Sequence, residues 1–118
     1  MLRDNLESGP LDIQTTVTAS SPTTDIDSFP LASFYGAMWF FTLRRGTTVA
    51  RSGIIIGAWD ASGNIGQTYV QTDDEGMTGY GVGNSSDLSF SVVLDGSNIV
   101  LRATTTNTYT IRIRRLSN

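Results

Sequence analysis

The chain contains no cysteine, no histidine and no lysine. Without cysteine no disulfide framework holds it, and thiolate nucleophiles and cysteine zinc sites are excluded. Without histidine it lacks the usual general base at neutral pH and the commonest metal ligand. Without lysine it cannot form a Schiff base. Serine, threonine, tyrosine, arginine and a few carboxylates remain for chemistry, so a non-enzymatic protein with no cofactor or metal is expected. Charge is scarce too. Only 16% of the residues are charged and the net charge is -3, which leaves no broad basic surface for nucleic acid. No apolar run approaches the roughly 18 residues needed to cross a membrane as a helix, so no membrane insertion is expected. Residues 1–10 are polar and lack the apolar centre of a secretory signal. All the basic residues are arginine, a pattern that a GC-rich genome also produces.

What is present is a period of two. A length of 118 residues predicts one domain. We expect it to run from 11 to 118, after a short N-terminal arm at 1–10 whose large apolar groups besides Met1 are Leu2 and Leu6. Leu11, Ile13, Thr15, Val17 and Ala19 alternate with polar residues, as in a half-buried strand. Ser21-Pro22 marks a turn, and a short extended segment at 26–29 ends at Pro30. The stretch 35–43 (YGAMWFFTL) is apolar on both parities. A strand buried on both faces reads that way, and so does one covered by a neighbouring subunit. Residues 49–59 form another long strand centred on Ile54-Ile55-Ile56. Residues 60–64 are a turn by composition, and 67–71 a short strand. The glycine-rich run from Gly76 to Gly83 reads equally as a bulged strand or as irregular chain.

The last third is the most legible. With Gly96-Ser97 as a two-residue type II′ turn, Leu94 faces Ile99, Val92 faces Leu101 and Phe90 faces Ala103, all on one face. A second hairpin with a three-residue loop at 106–108, Asn107 in the left-handed region, sets Ala103 opposite Ile111 and Leu101 opposite Ile113. That register gathers Arg102, Arg112 and Arg114 on the other face, beside Val93 and Val100. Like charges opposite one another destabilise a sheet, so this face is expected to meet carboxylates, from elsewhere in the chain or from a neighbour. The alternative is a solvated face whose side chains splay apart. About eight strands with tight turns and no convincing helix predict an all-β fold, an antiparallel β-sandwich or jelly roll.

The candidate chemistry is thin. Asp73, Asp74 and Glu75 form the one acidic cluster. Their spacing departs from a calcium loop and neighbours on an extended chain point apart, so a solvated loop is expected, with calcium binding as the alternative. Ser52 and the serines at 85 and 86 have no base to activate them. The run 79–83 lacks the lysine and following helix of a phosphate loop. Trp39 and Trp59 lie in apolar strands, which predicts core or interface packing rather than a sugar platform. Tyr69 and Tyr80 are the residues most suited to face a ligand.

The segments Asp25-Ile26-Asp27-Ser28-Phe29, Ser33-Phe34-Tyr35-Gly36-Ala37-Met38-Trp39, Leu88-Ser89-Phe90-Ser91-Val92, Gly96-Ser97-Asn98-Ile99-Val100-Leu101 and Tyr109-Thr110-Ile111-Arg112-Ile113 carry a resemblance. In order they resemble the opening strand, aromatic central strand and two closing hairpins of a small β-sandwich module. That module occurs in virion structural proteins of tailed phages: head-decoration, tail-fibre and baseplate proteins. The likeness spans roughly 13–116 and is poor over 60–83. It implies a structural or adhesive role in symmetric assemblies, with a trimer favoured, and no catalytic residues. The expectation is an exterior virion protein, made in the host cytoplasm. It would pack against its own copies and against other virion proteins such as the major capsid or tail protein. The short chain opening on Met1 favours a capsid decoration (cement) protein, its arm reaching a neighbour through Leu2 and Leu6. The alternative is a tail-fibre or baseplate receptor-binding or carbohydrate-binding module.

Overall fold

The computed structural model describes residues 12–46, 49–71 and 87–118, and among these residues it has eight antiparallel strands and one 3-10 turn. The strands are β1 (Asp12–Ala19), β2 (Thr23–Pro30), β3 (Gly36–Arg45), β4 (Val49–Trp59), β5 (Ile65–Gln71), β6 (Ser89–Asp95), β7 (Asn98–Thr104) and β8 (Tyr109–Ser117). They form a five-stranded sheet in the order β1-β8-β3-β4-β5 and a three-stranded sheet in the order β2-β7-β6. The chain passes between the sheets after β1, β2, β5 and β7, and β1 pairs with β8 while β2 pairs with β7. A ribbon folded over a sandwich in this way is the jelly-roll device. The β3-β4-β5 meander then stays within one sheet. The expected all-β sandwich is what the chain forms.

Alternation along each strand fills the space between the sheets. Ala37, Trp39, Phe41 and Leu43 of β3, Ile55 and Trp59 of β4, and Tyr109, Ile111 and Ile113 of β8 face Ile99, Leu101 and Ala103 of β7 with Phe90 and Val92 of β6. Each large side chain removed from water stabilises the fold by about 1.5–3 kcal/mol. Phe29 stacks on Trp39 with centroids 6.4 Å apart and meets Trp59 at 5.5 Å, while Phe41 meets Phe90 at 4.6 Å. Both tryptophans are therefore core residues, as their sequence setting predicts.

The β6-β7 hairpin has the predicted register, with Leu94 opposite Ile99, Val92 opposite Leu101 and Phe90 opposite Ala103. Gly96 has φ 64° and no residue other than glycine has positive φ among those described, as a type II′ turn with glycine first requires.

The second expected hairpin does not exist. β7 and β8 lie in different sheets, so Ala103 does not pair with Ile111 nor Leu101 with Ile113. Residues 105–108 cross between the sheets, anchored by the Thr105 amide donating to Pro22 O at 3.0 Å, and Asn107 stays out of the left-handed region. Arg102 consequently stands apart from Arg112 and Arg114. It lies on the outer face of the small sheet, donating to Asp25 at 2.7 Å and Asp95 at 2.9 Å. Val93 and Val100 stay with it. The carboxylates expected for that arginine are present, and they are the chain's own.

β2 is longer than the predicted segment and carries a bulge. Asp25 pairs with Arg102 and Asp27 with Leu101, so one extra residue, Ile26, is inserted between them. The insertion reverses parity. Asp25 stays outside, while Asp27 turns inward beside Phe29 and Trp39.

Candidate functional site

The outer face of the five-stranded sheet is built from the second parity of the same strands that form the core. From β8 to β5 its rows read Leu116, Met38, Ile56, Thr68 and then Arg114, Phe40, Ile54, Val70. The next row is Thr16, Arg112, Thr42, Ser52, and beyond it lies Thr18, Thr110, Arg44, Ala50. No second layer covers these rows among the described residues. Val70 is 73% exposed, Ile56 47%, Phe40 39% and Leu116 37%. Together they leave on the order of 300 Å² of apolar surface open to water, the size at which a contiguous patch marks an interaction site. The stretch apolar on both parities is thus buried on one face, and among the described residues nothing covers the other.

The remaining half of this face is cationic and rich in threonine. Arg112 and Arg114 stand two residues apart on β8, and Arg44 lies diagonally across on β3. Arg112 lies roughly 7–8 Å from each of the other two, close enough for like charges to repel, while Arg44 and Arg114 are four residues out of register and further apart. The acid that the described strands set on this face is Asp12 of β1, opposite Leu116. An arginine triad does exist, then, but its third member is Arg44 and not Arg102. Sequence reasoning missed Arg44 because it set β8 beside β7, whereas β8 lies beside β3.

At the apolar end the face opens into a groove of about 500 Å³ whose lining includes Tyr35, Met38, Ile56, Ala58 and Leu116. A second groove of about 490 Å³ is lined by residues including Leu31, Phe34, Tyr35, Trp59 and Asp60. Tyr35 belongs to both and is 85% exposed. It is held there by its backbone: its amide donates to Asn118 O at 2.6 Å and its carbonyl accepts from the Trp59 amide at 3.2 Å. The carboxylate of Asp60 at the rim is taken up by its own turn. It accepts from the amides of Ser62 and Asn64 at 2.9 and 3.0 Å and from Asn64 Nδ2 at 2.9 Å. These bonds, with that to the Asn64 side chain largest, hold it below the usual carboxylate range.

The polar groups inside the sandwich are structural. Asp27 Oδ2 accepts from Arg115 at 2.8 Å and from Trp39 Nε1 at 2.9 Å, joining the two sheets through a buried ion pair. The Arg115 guanidinium lies 4.5 Å from the centroid of Phe29 and 5.5 Å from that of Phe34. Buried Arg51 donates to Leu88 O at 2.9 Å. Asp87 accepts from the Tyr109 hydroxyl, from Asn107 Nδ2 at 2.5 Å and from Thr106 Oγ1 at 3.0 Å. Burial pushes the Asp87 carboxyl up, but these donors outweigh it and hold the group below its ordinary range. Burial and the bond to Asp87 push Tyr109 far above an ordinary phenol. Such a tyrosine is a poor acid and a poor nucleophile at neutral pH.

Of the other residues singled out, Tyr69 sits on edge strand β5 opposite Ile55, partly exposed. Ser52 donates to Phe41 O at 3.0 Å and lies 3.4 Å from the Thr42 hydroxyl. Leu2, Leu6, Tyr80, the acidic cluster at 73–75, the run 76–83 and the serines at 85 and 86 lie outside the described residues. Among the described residues no cluster of three carboxylates is placed to hold a metal ion, and no helix is long and apolar enough to cross a membrane. No protein-family model, curated protein or solved structure matches this chain.

Proposed function

We propose that this protein is a non-catalytic assembly module that works by burying surface between chains, and that it is an exterior component of a tailed-phage particle. A capsid decoration protein is the preferred form, with a tail or baseplate position as the alternative. One observation carries the assembly reading: half of the outer face of the five-stranded sheet is apolar, exposed and flanked by Arg44, Arg112 and Arg114. A single chain gains nothing from leaving Phe40, Ile56 and Val70 in water. The phage assignment rests on the sequence resemblance alone.

Light scattering on the purified chain tests the first part. A discrete homo-oligomer is expected, and it should dissociate in Phe40→Glu and Ile56→Glu variants that keep their fold. A wild-type monomer at about 100 μM, too weak for a standard-size interface, removes self-assembly. Quantitative mass spectrometry of purified particles tests the second part. Hundreds of copies mean decoration, a few to dozens mean tail, and absence from the particle ends the virion reading.

A carbohydrate-binding module is the second reading. Its support is Tyr35, a bare aromatic between two grooves, with Phe34 and Trp59 lining one of them. It predicts saccharide binding by a monomer that Tyr35→Ala abolishes; a glycan array without hits removes it.

A further inference from the structure

The second of the two grooves that meet at Tyr35 has a chemistry that association through the sheet face does not use. We propose that this groove binds a small quaternary ammonium compound, a choline-type cation free in solution. It lies apart from the face through which chains are proposed to associate. It is the Tyr35 site of the carbohydrate reading, with a different ligand.

The lining selects for a cation. Phe34, Tyr35 and Trp59 bring three aromatic side chains to one groove of about 490 Å³, and Leu31, Ala32 and Ala61 complete its apolar wall. The volume is that of a small-molecule pocket. Among the lining residues Asp60 alone is charged, and the hydrogen bonds of its own turn keep it ionised at neutral pH. Aromatic faces are electron-rich, so aromatic walls beside one carboxylate attract a cation that also carries apolar surface. The groove on the other side of Tyr35 is lined by aliphatic side chains such as Met38, Ile56 and Leu116 and by no acid.

Hydrogen bonding decides which kind of cation. The directional groups along the groove are spent within the fold. Trp59 Nε1 donates to Phe34 O at 2.7 Å. The Leu31 amide donates to Ser97 O at 2.9 Å, the Tyr35 amide to Asn118 O at 2.6 Å and the Asp60 amide to Asn64 O at 3.1 Å. Both carboxylate oxygens of Asp60 accept from residues of its turn. A saccharide hydroxyl or a primary ammonium entering here would give up water for few new partners, which is costly. A quaternary ammonium has no N–H to satisfy. It needs aromatic faces and a nearby negative charge, and the groove supplies both.

The walls are set before a ligand arrives, which lowers the cost of binding. Phe34 and Trp59 both pack on Phe29, with centroids 5.3 and 5.5 Å from it. Tyr35 is pinned through its backbone while its side chain stays 85% exposed, so contact with a ligand costs the core nothing. Arg115 stands 5.5 Å from the Phe34 centroid, but it is buried, paired with Asp27 and absent from the groove lining.

NMR titration of the isotope-labelled full chain reads the site at the Trp59 indole N–H and at the Tyr35 and Ala61 amides. The probes are choline, tetramethylammonium and neopentyl carbinol, in which a carbon replaces the charged nitrogen of choline. Saturable shifts at these groups are expected with both cations. The neutral isostere keeps the shape and loses the charge, so it should bind about 10-fold more weakly or worse. Tyr35→Ala should weaken choline binding about 10-fold, and Tyr35→Phe should leave it unchanged. Asp60→Asn keeps an oxygen acceptor for the turn. It should weaken choline and leave the isostere as it was. Equal binding of choline and its isostere overturns the inference, as do unmoved signals with choline at tens of millimolar. Neutral saccharides that shift these groups where choline does not also overturn it, and the carbohydrate reading then holds the site. Retention of the chain by phosphatidylcholine vesicles without binding of free choline makes the partner a lipid surface, and the small-molecule site fails. Light scattering tests association separately, so either proposal can fail while the other stands.

Discussion

Replacing Asp27 by alanine should destabilise the fold by about 4 kcal/mol, from the cost of breaking a buried ion pair by removing one partner. Asp27 is drawn inward by the bulge at Ile26. It holds two donors on one oxygen, Arg115 at 2.8 Å and Trp39 Nε1 at 2.9 Å. Alanine strands the Arg115 guanidinium in the core between Phe29 and Phe34, with its Nε already lacking a hydrogen-bond partner. The faces of Phe29 and Phe34 offset on the order of 1–2 kcal/mol of that penalty, and they cannot replace a carboxylate. The Trp39 indole N–H also loses its acceptor, at about 1–3 kcal/mol if it stays buried and unpaired. These costs overlap because one oxygen serves both donors, so their sum overstates the effect. At about 4 °C per kcal/mol for a domain of this size, the melting temperature should fall by roughly 15 °C. Arg115→Met, similar in volume and uncharged, should cost about 3 kcal/mol because it leaves the Asp27 carboxylate buried without its cation. With Asp27→Asn as the matching single change, the double variant Asp27→Asn/Arg115→Met removes both charges and keeps an acceptor for Trp39. It should be less destabilised than the sum of the two single changes by about 2 kcal/mol or more. Urea denaturation followed by tryptophan fluorescence reads this directly, since both tryptophans are in the core. Salt should leave the Asp27→Ala effect nearly unchanged, because a buried pair is little screened. A loss below about 1 kcal/mol, or strict additivity in the cycle, refutes the assignment of Asp27 and Arg115 as the clamp between the sheets.

Three further outcomes follow from single contacts. Gln67 of β5 donates to Val92 O at 2.9 Å and accepts from the Val92 amide at 2.8 Å, so its side chain serves as the missing strand partner of β6. Gln67→Leu should cost about 1–3 kcal/mol and speed amide exchange at Val92, and unchanged exchange there refutes the bridge. Asp87 is held below its ordinary range in the fold, so the stability it contributes is present above the unfolded-state value, about pH 4, and is lost as pH falls through the folded-state value. Tyr109 is shifted upward, so its contribution is complete below the unfolded-state value, about pH 10, and is lost as pH rises beyond it. Asp87→Asn should therefore flatten the acid limb of the pH–stability curve and Tyr109→Phe the alkaline limb, as read by thermal melts from pH 2 to 12; limbs that do not move contradict the pairing. Gly63 has φ 89°, and a Cβ there would run into the Leu94 side chain. Gly63→Ala should cost about 1 kcal/mol or more, and a neutral result by urea titration refutes the backbone requirement.

Parity was legible in this sequence and partner choice was not. The β6-β7 hairpin is fixed by a glycine turn two residues long, so its register follows from local chemistry. Residues 49–59 are bounded by the breaks that end β4. For β8 the alternation of Tyr109, Ile111 and Ile113 places those residues inward correctly. A sandwich, however, has one core seen from two sides. Ile111 faces it equally well whether β8 lies beside β7 or across from it, so a hydrophobic pattern cannot choose the sheet. The arginine face was misassembled for that reason alone: Arg112 and Arg114 kept their side, and their neighbour proved to be Arg44. The bulge in β2 has a signal in the sequence. Ile26 and Phe29 have opposite parity and are both buried, which a regular strand does not permit. An extra residue between them is the simplest solution, and it sends Asp27 inside.

The way the sandwich closes its rims bears on the proposed association. Exposed edge strands invite pairing by any other strand, and proteins that must avoid this block the edges. Here β5 and β6, the last strands of their sheets on one side, are tied by the Gln67 amide to Val92. At the opposite rim, where β1 and β2 end the two sheets, Thr24 and Ser20 bond to each other and the Thr105 amide is spent on Pro22 O. These bonds join the two sheets at their rims, while among the described residues the outer face of the large sheet keeps Phe40, Ile56 and Val70 in water. Association through a face differs physically from association through an edge. It relies on side-chain burial and charge rather than on backbone pairing, so Phe40→Glu should abolish it, whereas a proline placed in β5 at Thr68 should weaken the fold and leave the contact chemistry intact. If Thr68→Pro dissociates the assembly and Phe40→Glu does not, the chains join by their edges, and the bare face is not where they meet.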